Sequence, residues 1–83
     1  MKDFVYLVAA ADSRGAAWTF SLPGDAVVEK DDLLEYNGAF YTVMDALFIS
    51  TKSSEYSLMD SVVKIRKADR LYACTWKGDE EDG

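Results

Sequence analysis

Hydrophobic and polar positions alternate over much of this sequence, and the alternation predicts short β-strands. Residues 3–9 carry apolar side chains on both sides of an extended backbone, as in a strand that is covered on both faces. Residues 17–22 alternate strictly, with Trp18, Phe20 and Leu22 on one face. A cluster of turn-forming residues at 11–15 separates the two runs, so we expect an N-terminal β-hairpin.

A second hairpin is predicted around Asn37-Gly38, which lies between two apolar runs. Both residue types tolerate the positive φ angles of a type I′ turn, which is the tightest hairpin connection. A two-residue loop at this point sets the register, since it places Tyr36 opposite Ala39 and Leu34 opposite Tyr41. The expected core face of this hairpin comprises Leu34, Tyr36, Tyr41 and Val43.

Residues 23–36 are open to two interpretations. Pro23-Gly24 predicts a type II turn with Gly24 at positive φ, and Val27 and Val28 favour a short strand over 25–30. The competing interpretation is a helix from Asp25 that ends at Gly38. The paired valines and the acidic break at 31–32 favour the strand.

The second half of the chain contains one long apolar run and one ambiguous segment. Residues 39–50 are long for a single strand, and Asp45 within them predicts a bulge or bend. Residues 57–67 are open to two interpretations. As a helix they have Ser57 as N-cap and Leu58, Val62 and Ile65 on one stripe. The other interpretation is a strand, which we favour from Val62 onward. Residues 71–76 alternate again and predict a final strand.

Together these elements predict a mainly β fold: a small SH3-like barrel of five to six short strands with an N-terminal hairpin, and one short helix near 57–67. An α+β arrangement is the alternative. The stretch 24–76 resembles SH3-like barrels in its Gly-Asp-x-Val opening at 24–27 and in its Tyr-x-Gly-x-x-Tyr-x-Val segment at 36–43. This resemblance implies an architecture and no function.

Length and charge indicate one domain with an acidic end. The 83 residues suit a single small domain, which we place at 1–78. The net charge is −6, and four of the 15 acidic residues follow one another in the segment 79–83, which we expect to be a disordered acidic tail. Those four residues are Asp79, Glu80, Glu81 and Asp82.

Residue types that carry common catalytic chemistry are scarce. The chain has no His and one Cys, so it has no Ser-His-Asp triad, no Cys-only zinc site and no intramolecular disulfide. Cys74 lies within the last predicted strand, where a small buried side chain is its ordinary role. We therefore expect no catalytic residue, no metal and no cofactor, and the acidic residues of 25–35 are interpreted as a solvated loop.

The candidate contact residues are aromatic or basic. The chain concentrates positive charge at Lys64, Arg66, Lys67 and Arg70, but its acidic balance argues against nucleic acid as a partner. The number of aromatic residues exceeds what one small core requires, which favours a surface for a protein partner. The interaction residues that we predict are Trp18, Phe20, Lys64, Arg66, Arg70 and Trp76.

These observations predict a non-enzymatic protein-interaction module that binds another protein or a second copy of itself as a homodimer. One alternative is a phage-type acidic inhibitor that occupies the nucleic-acid site of a host nuclease or defence protein. A second alternative is a barrel that binds single-stranded nucleic acid weakly. The apolar run 4–11 is too short for a secretory signal, and no run is long enough for a membrane span, so we expect a cytoplasmic protein without membrane contact.

Overall fold

The computed structural model describes residues 3–72, in which six strands form one sheet and a single helix follows the fourth strand. The elements are β1 (Phe4–Ala11), β2 (Ala17–Pro23), β3 (Leu33–Tyr36), β4 (Ala39–Ser50), α1 (Ser54–Val63), β5 (Arg66–Lys67) and β6 (Arg70–Tyr72). The strand order is β5-β2-β1-β4-β3-β6. The β2–β5 pair is parallel and the other pairs are antiparallel.

The sheet curls because its two outer strands are neighbours in sequence. Only Ala68 and Asp69 separate β5 from β6, although these strands lie at opposite ends of the strand order. The Ala68 N–H donates to the Ser21 carbonyl of β2, and the Asp69 N–H donates to the Glu35 carbonyl of β3. Consecutive residues thus bond to both sides of the sheet, and the predicted small, mainly β barrel is confirmed as a sheet curled into a half-barrel.

Both predicted hairpins form. β1 and β2 pair from Val5 opposite Pro23 to Ala11 opposite Ala17. At the second hairpin Asn37 and Gly38 have φ angles of 53° and 81°, as a type I′ turn requires. The register there is the predicted one, since Tyr36 faces Ala39 and Leu34 faces Tyr41.

The core fills the concave side of the curled sheet. Its fully buried large side chains are Val8, Phe20, Leu34 and Val43, one from each of the four longest strands. Strict alternation in β1, β2 and β3 directs these residues to one face, and burial of each contributes about 1.5–3 kcal/mol. The predicted core face of the second hairpin is confirmed, with Tyr36 packed at its margin.

β4 contains the predicted bulge, one residue from the expected position. Ala9 faces Asp45 and Ala10 faces Val43, so Met44 is the extra residue. The bulge divides β4 into a first half that pairs with both β1 and β3 and a second half that pairs with β1 alone. This division lets one strand serve the barrel and then extend beyond it.

Three expectations for residues 23–36 are wrong: the strand over 25–30, the alternative helix over 25–36 and the positive φ of Gly24. No strand forms over 25–30, and the alternative helix over 25–36 is absent as well. Gly24 does not adopt positive φ, and the Ala26 N–H donates to the Pro23 carbonyl, so the turn is centred on Gly24 and Asp25. The segment instead crosses between β2 and β3, packing Ala26 and Val28 against the core while Val27 is exposed.

The segment 57–67 divides into a helix, which starts earlier than predicted and ends with Val63, and the short strand β5 at Arg66–Lys67. Ser53, not Ser57, is the N-cap, and its hydroxyl oxygen accepts the Tyr56 N–H at 3.0 Å. The helix continues through Val62 and Val63 to its C-cap, Lys64, which is in the left-handed conformation, so the strand expected from Val62 onward begins only at Arg66. β-branched residues lower helix propensity only slightly, so Val62 and Val63 do not end the helix.

The final predicted strand is partly confirmed. β6 begins at Arg70 and pairs with β3 through Tyr72. The remainder of the predicted strand, to Trp76, and the acidic segment 79–83 lie outside the described residues.

Candidate protein interface

The second half of β4 has an unpaired edge in the part of the chain that the structure describes. β4 has 12 residues, whereas β3, its neighbour on that side, has four and pairs only with Ala39–Thr42. Val43 is bonded through its backbone to Asp31 and Asp32. Beyond Met44, no strand within residues 3–72 continues the sheet on this side. An unpaired edge of this kind is a template for another strand.

Aromatic side chains cover one face of this edge. The rings of Phe4 and Phe48 stack in parallel at a centroid distance of 5.1 Å, and the ring of Tyr6 lies 5.0 Å from that of Phe48. Phe48 is 41% exposed, and Phe4 is similarly accessible. The core thus continues beyond the barrel as an open aromatic cluster, which we name the Phe48 cluster (Phe4, Tyr6 and Phe48).

The other face of the same edge lies beneath α1. Leu47 projects to this side, where it lines a cavity of about 250 Å³ together with Met59 and Val63 of the helix. None of the helix residues is buried, so α1 rests loosely on the sheet. A helix without buried residues depends on its own hydrogen bonds and on partial contacts for stability.

The outward side of α1 is also apolar. Leu58 and Val62 are 64% and 69% exposed, and their i,i+4 spacing puts them on one stripe. With Leu47, Met59 and Val63 they form what we call the α1 surface. Several large apolar side chains exposed on one short helix are typical of a surface that binds a partner.

Trp18, a predicted interaction residue, is held by three neighbours. Its indole N–H donates to Asp12 Oδ2 at 3.0 Å, and its ring meets that of Tyr41 edge-on at 5.6 Å. The Arg66 guanidinium carbon lies 4.4 Å from the centroid of the indole ring, and Arg66 also donates to the Lys64 carbonyl. The indole is therefore only partly available to a partner.

Asp12 organises the turn of the first hairpin. Its Oδ1 accepts the backbone N–H groups of Arg14 and Ala16, both at 2.9 Å. The hydrogen bond from the Trp18 indole, followed by that from the Ala16 N–H, holds the pKa of the Asp12 carboxyl below its ordinary value. This arrangement fixes the hairpin and offers no acid or base at neutral pH.

The other predicted interaction residues are not brought together. Phe20 is completely buried, so its side chain cannot contact a partner, and this prediction is corrected: alternation in β2 points it into the core. Lys64 is the C-cap residue of α1, whereas Arg66 lies in β5. Arg70 lies opposite Glu35 in the β3–β6 pair, whereas β5, which carries Arg66, pairs with β2. Trp76 and the acidic residues 79–82 lie outside the described residues.

The acidic residues of the 25–35 region do not form a metal site. Among residues 3–72, no group of three or more His, Cys, Asp or Glu side chains is arranged to hold an ion. Asp32 is nearly buried, and its Oδ2 accepts the Glu29 N–H at 2.8 Å. This carboxylate shapes the loop that leads into β3.

Sequence reasoning missed the Phe48 cluster and the α1 surface. A usable signal was the mismatch in length across the Asn37-Gly38 turn, since a run of 12 residues cannot be matched by a run of four. The unmatched half, residues 44–50, needs a different neighbour or stays an edge. For Leu58 and Val62 the spacing was visible, but their exposure was not.

Comparisons with known proteins do not bear on the role of this surface. No helix in residues 3–72 is long and apolar enough to cross a membrane. The SH3-like resemblance rests on its two sequence patterns. No protein-family model matches the chain, no curated protein is significantly similar to it, and no solved structure matches it significantly.

Proposed function

We propose that this protein is a non-enzymatic interaction module that works by binding protein chains through the α1 surface and the adjacent edge of β4. The observation that carries the proposal is the exposure of Leu58 and Val62 on a helix whose Met59 and Val63 line the cavity between α1 and the sheet. Apolar residues on both sides of one short helix are costly to leave in water. A partner that covers the outward stripe removes this cost.

The scarcity of chemistry-bearing groups supports a binding role. The chain has no His, and the described carboxylate with a lowered pKa, that of Asp12, is committed to hydrogen bonds within its own turn. The cavity under α1 is lined mainly by apolar side chains such as Leu7, Leu47 and Met59. Such a lining offers contact area and no nucleophile or base. A cytoplasmic location remains part of this proposal.

The proposal is tested with a matched pair of substitutions. Val62→Glu places a charge on the α1 surface, and Val27→Glu places the same charge on an equally exposed valine in the 24–32 loop. Each variant is checked for an unchanged circular dichroism spectrum and thermal midpoint. Each immobilised protein is then cross-linked to the chains that it has bound. The amount of each retained chain, including a second copy of this protein, is compared among the variants.

We expect the Val62→Glu variant to retain at most about one tenth of the partner that the wild-type protein retains. The Val27→Glu variant should retain the wild-type amount. Retention of the same chains by wild type and Val62→Glu contradicts the use of this surface. Retention of no chain by the wild-type protein contradicts the proposed function as a whole.

A further inference from the structure

We propose that two copies of this protein pair through the open edge of β4, as antiparallel strands related by a two-fold axis at Phe48. The inference deepens the proposed function, on which it rests, by naming the partner as a second copy. It is carried by the backbone groups that the edge leaves unbonded, by the side chains beside them and by the absence of opposed like charges.

The direction of the backbone groups follows from the pairing with β1. The Thr51 N–H donates to the Asp3 carbonyl at 2.8 Å, on the β1 side of the strand. Backbone groups of an antiparallel strand point alternately to its two sides. Leu47 and Ile49 therefore bond towards β1, where they face Leu7 and Val5. The N–H and C=O groups of Ala46, Phe48 and Ser50 point to the open side.

Two of these six groups are already satisfied within the chain. The Ala46 N–H donates to Asp45 Oδ1 at 2.9 Å, and the Ser50 carbonyl accepts the Ser53 N–H at 3.1 Å. Four groups remain: the Ala46 carbonyl, the N–H and carbonyl of Phe48, and the Ser50 N–H. No backbone hydrogen bond among residues 3–72 reaches any of the four on this side.

The four remaining groups are complementary to themselves. When Phe48 faces Phe48 of a second copy, these two residues exchange a pair of N–H···O=C bonds across the axis. Each Ser50 N–H then faces the Ala46 carbonyl of the other copy, which gives two further bonds. The Ala46 N–H and the Ser50 carbonyl, which are bonded within the chain, face each other across the two copies. This register therefore breaks neither of their existing hydrogen bonds.

Side chains on both faces of the edge match in the same register. The two Phe48 rings become cross-strand neighbours, which joins the Phe48 clusters of both copies into one aromatic layer. On the other face Leu47, which is 50% exposed, lies opposite Ile49 of the second copy. Asp45 lies opposite Thr51, so no like charges oppose each other along the paired segment.

The edge is short, which favours a closed pair over a continuing sheet. Asp45 caps the edge at one end through its bond to Ala46, and the Ser50–Ser53 turn ends it at the other. A two-fold antiparallel pair uses both copies' edges completely and leaves no further open segment of β4. A strand of unrelated sequence can bond to the same four backbone groups, but nothing requires it to carry an aromatic residue opposite Phe48.

The first test measures mass and amide exchange on the wild-type protein. We expect light scattering to give 9.3 kDa at low micromolar concentration and twice that mass near 1 mM. Over the same range the amides of Phe48 and Ser50 should become protected from hydrogen exchange, whereas those of Leu47 and Ile49, bonded to β1, stay protected throughout. A single-chain mass at every concentration overturns the dimer, and a dimer without this alternating protection overturns the β4 register.

The second test uses charge reversal at the axis. Phe48→Lys and Phe48→Glu each oppose like charges and should each give a single-chain mass, and an equimolar mixture of the two should recover the dimer. Phe40→Lys is the control and should still dimerise, because Phe40 is an exposed aromatic residue of the same strand but lies in the half of β4 that pairs with β3. If the mixture stays monomeric while both variants remain folded, residue 48 does not face itself and the proposal fails.

Failure of this inference and failure of the proposed function give different results. A chain that is monomeric at all concentrations but still retains another protein in a Val62-dependent manner keeps the proposed function and loses the dimer. A chain that dimerises as described in both the wild type and Val62→Glu, and that captures nothing else, keeps the β4 dimer and loses the binding role proposed for Leu58 and Val62.

Discussion

Arg66 lies over the indole ring of Trp18, with its guanidinium carbon 4.4 Å from the ring centroid. The contact links β5, a strand of two residues, to the start of β2, where Trp18 is the second residue. Arg66 is also tied to the end of α1, since it donates to the Lys64 carbonyl at 3.0 Å. A short strand with few ladder hydrogen bonds gains from such a side-chain contact.

Replacing Arg66 by Ala should therefore destabilise the protein. We expect a loss of roughly 0.5–1 kcal/mol from the cation–π contact, with a further contribution from the lost hydrogen bond to Lys64. Chemical denaturation monitored by tryptophan fluorescence measures the change. Arg70→Ala is the control, since Arg70 is exposed and lies in β6, a strand of three residues. Equal losses in the two variants contradict a specific role for the Trp18 contact.

The Asp12 carboxyl should titrate below its ordinary pKa of 3.8. The lowered value means that the ionised form is favoured in the folded state, chiefly through the Trp18 indole N–H. The stabilisation that this carboxylate provides is complete above pH 3.8 and is lost as the pH falls through the lower, folded-state pKa. NMR titration of the Asp12 carboxyl carbon gives the midpoint directly.

Trp18→Phe separates the two causes of this shift. It keeps an aromatic ring but removes the indole donor, so the midpoint of Asp12 should move up towards 3.8 while the bonds from Arg14 and Ala16 persist. An unchanged midpoint contradicts the leading role of the indole. Asp12→Asn should make the acid limb of the stability curve shallower in the same pH range.

Gly38→Ala should destabilise the second hairpin by roughly 1–2 kcal/mol, because Gly38 has a φ of 81°. No atom lies within 4 Å of the position that a Cβ would take, so the cost comes from backbone strain alone. Gly24→Ala is the matched control, since Gly24 lies in a turn without positive φ. The thermal midpoints of the two variants, measured by circular dichroism, should differ, and equal midpoints contradict the type I′ assignment.

The predictable parts of this fold are those that neighbouring residues determine. Asn37-Gly38 fixed its own turn and hence the register of β3 against β4, because the dihedral preferences of two residues suffice. The 25–30 segment could not be predicted in this way. Val27 and Val28 have the same intrinsic preference, yet one is exposed and the other packs against the core because the chain crosses the barrel there. Barrel closure by Ala68 and Asp69 depends on strands more than 30 residues away and has no local signature.

The sequence predicted that a contact surface exists but not which residues form it. Aromatic residues in excess of the core indicated a contact surface, but Phe20 was assigned to it and Phe48 was not. The two residues differ in their neighbours: Phe20 faces Val8 within the barrel, and Phe48 faces Tyr6 beyond it. Strand alternation gives the face that a side chain occupies and not whether another layer covers that face.

The N-cap of α1 provides a last test, because two serines compete for the role in the sequence. The structure assigns it to Ser53, whose hydroxyl oxygen accepts the Tyr56 N–H, whereas Ser57 lies inside the first turns of the helix. Ser53→Ala should therefore cost about 1 kcal/mol of helix stability, and Ser57→Ala should be neutral or slightly stabilising, since Ala is the better helix former. Because α1 buries none of its residues, the loss should appear as local opening rather than global unfolding. Amide exchange is the measurement: in Ser53→Ala the amides of residues 56–63 should exchange about fivefold faster while those of β1 keep their wild-type rates, and faster exchange in Ser57→Ala instead would move the cap to Ser57.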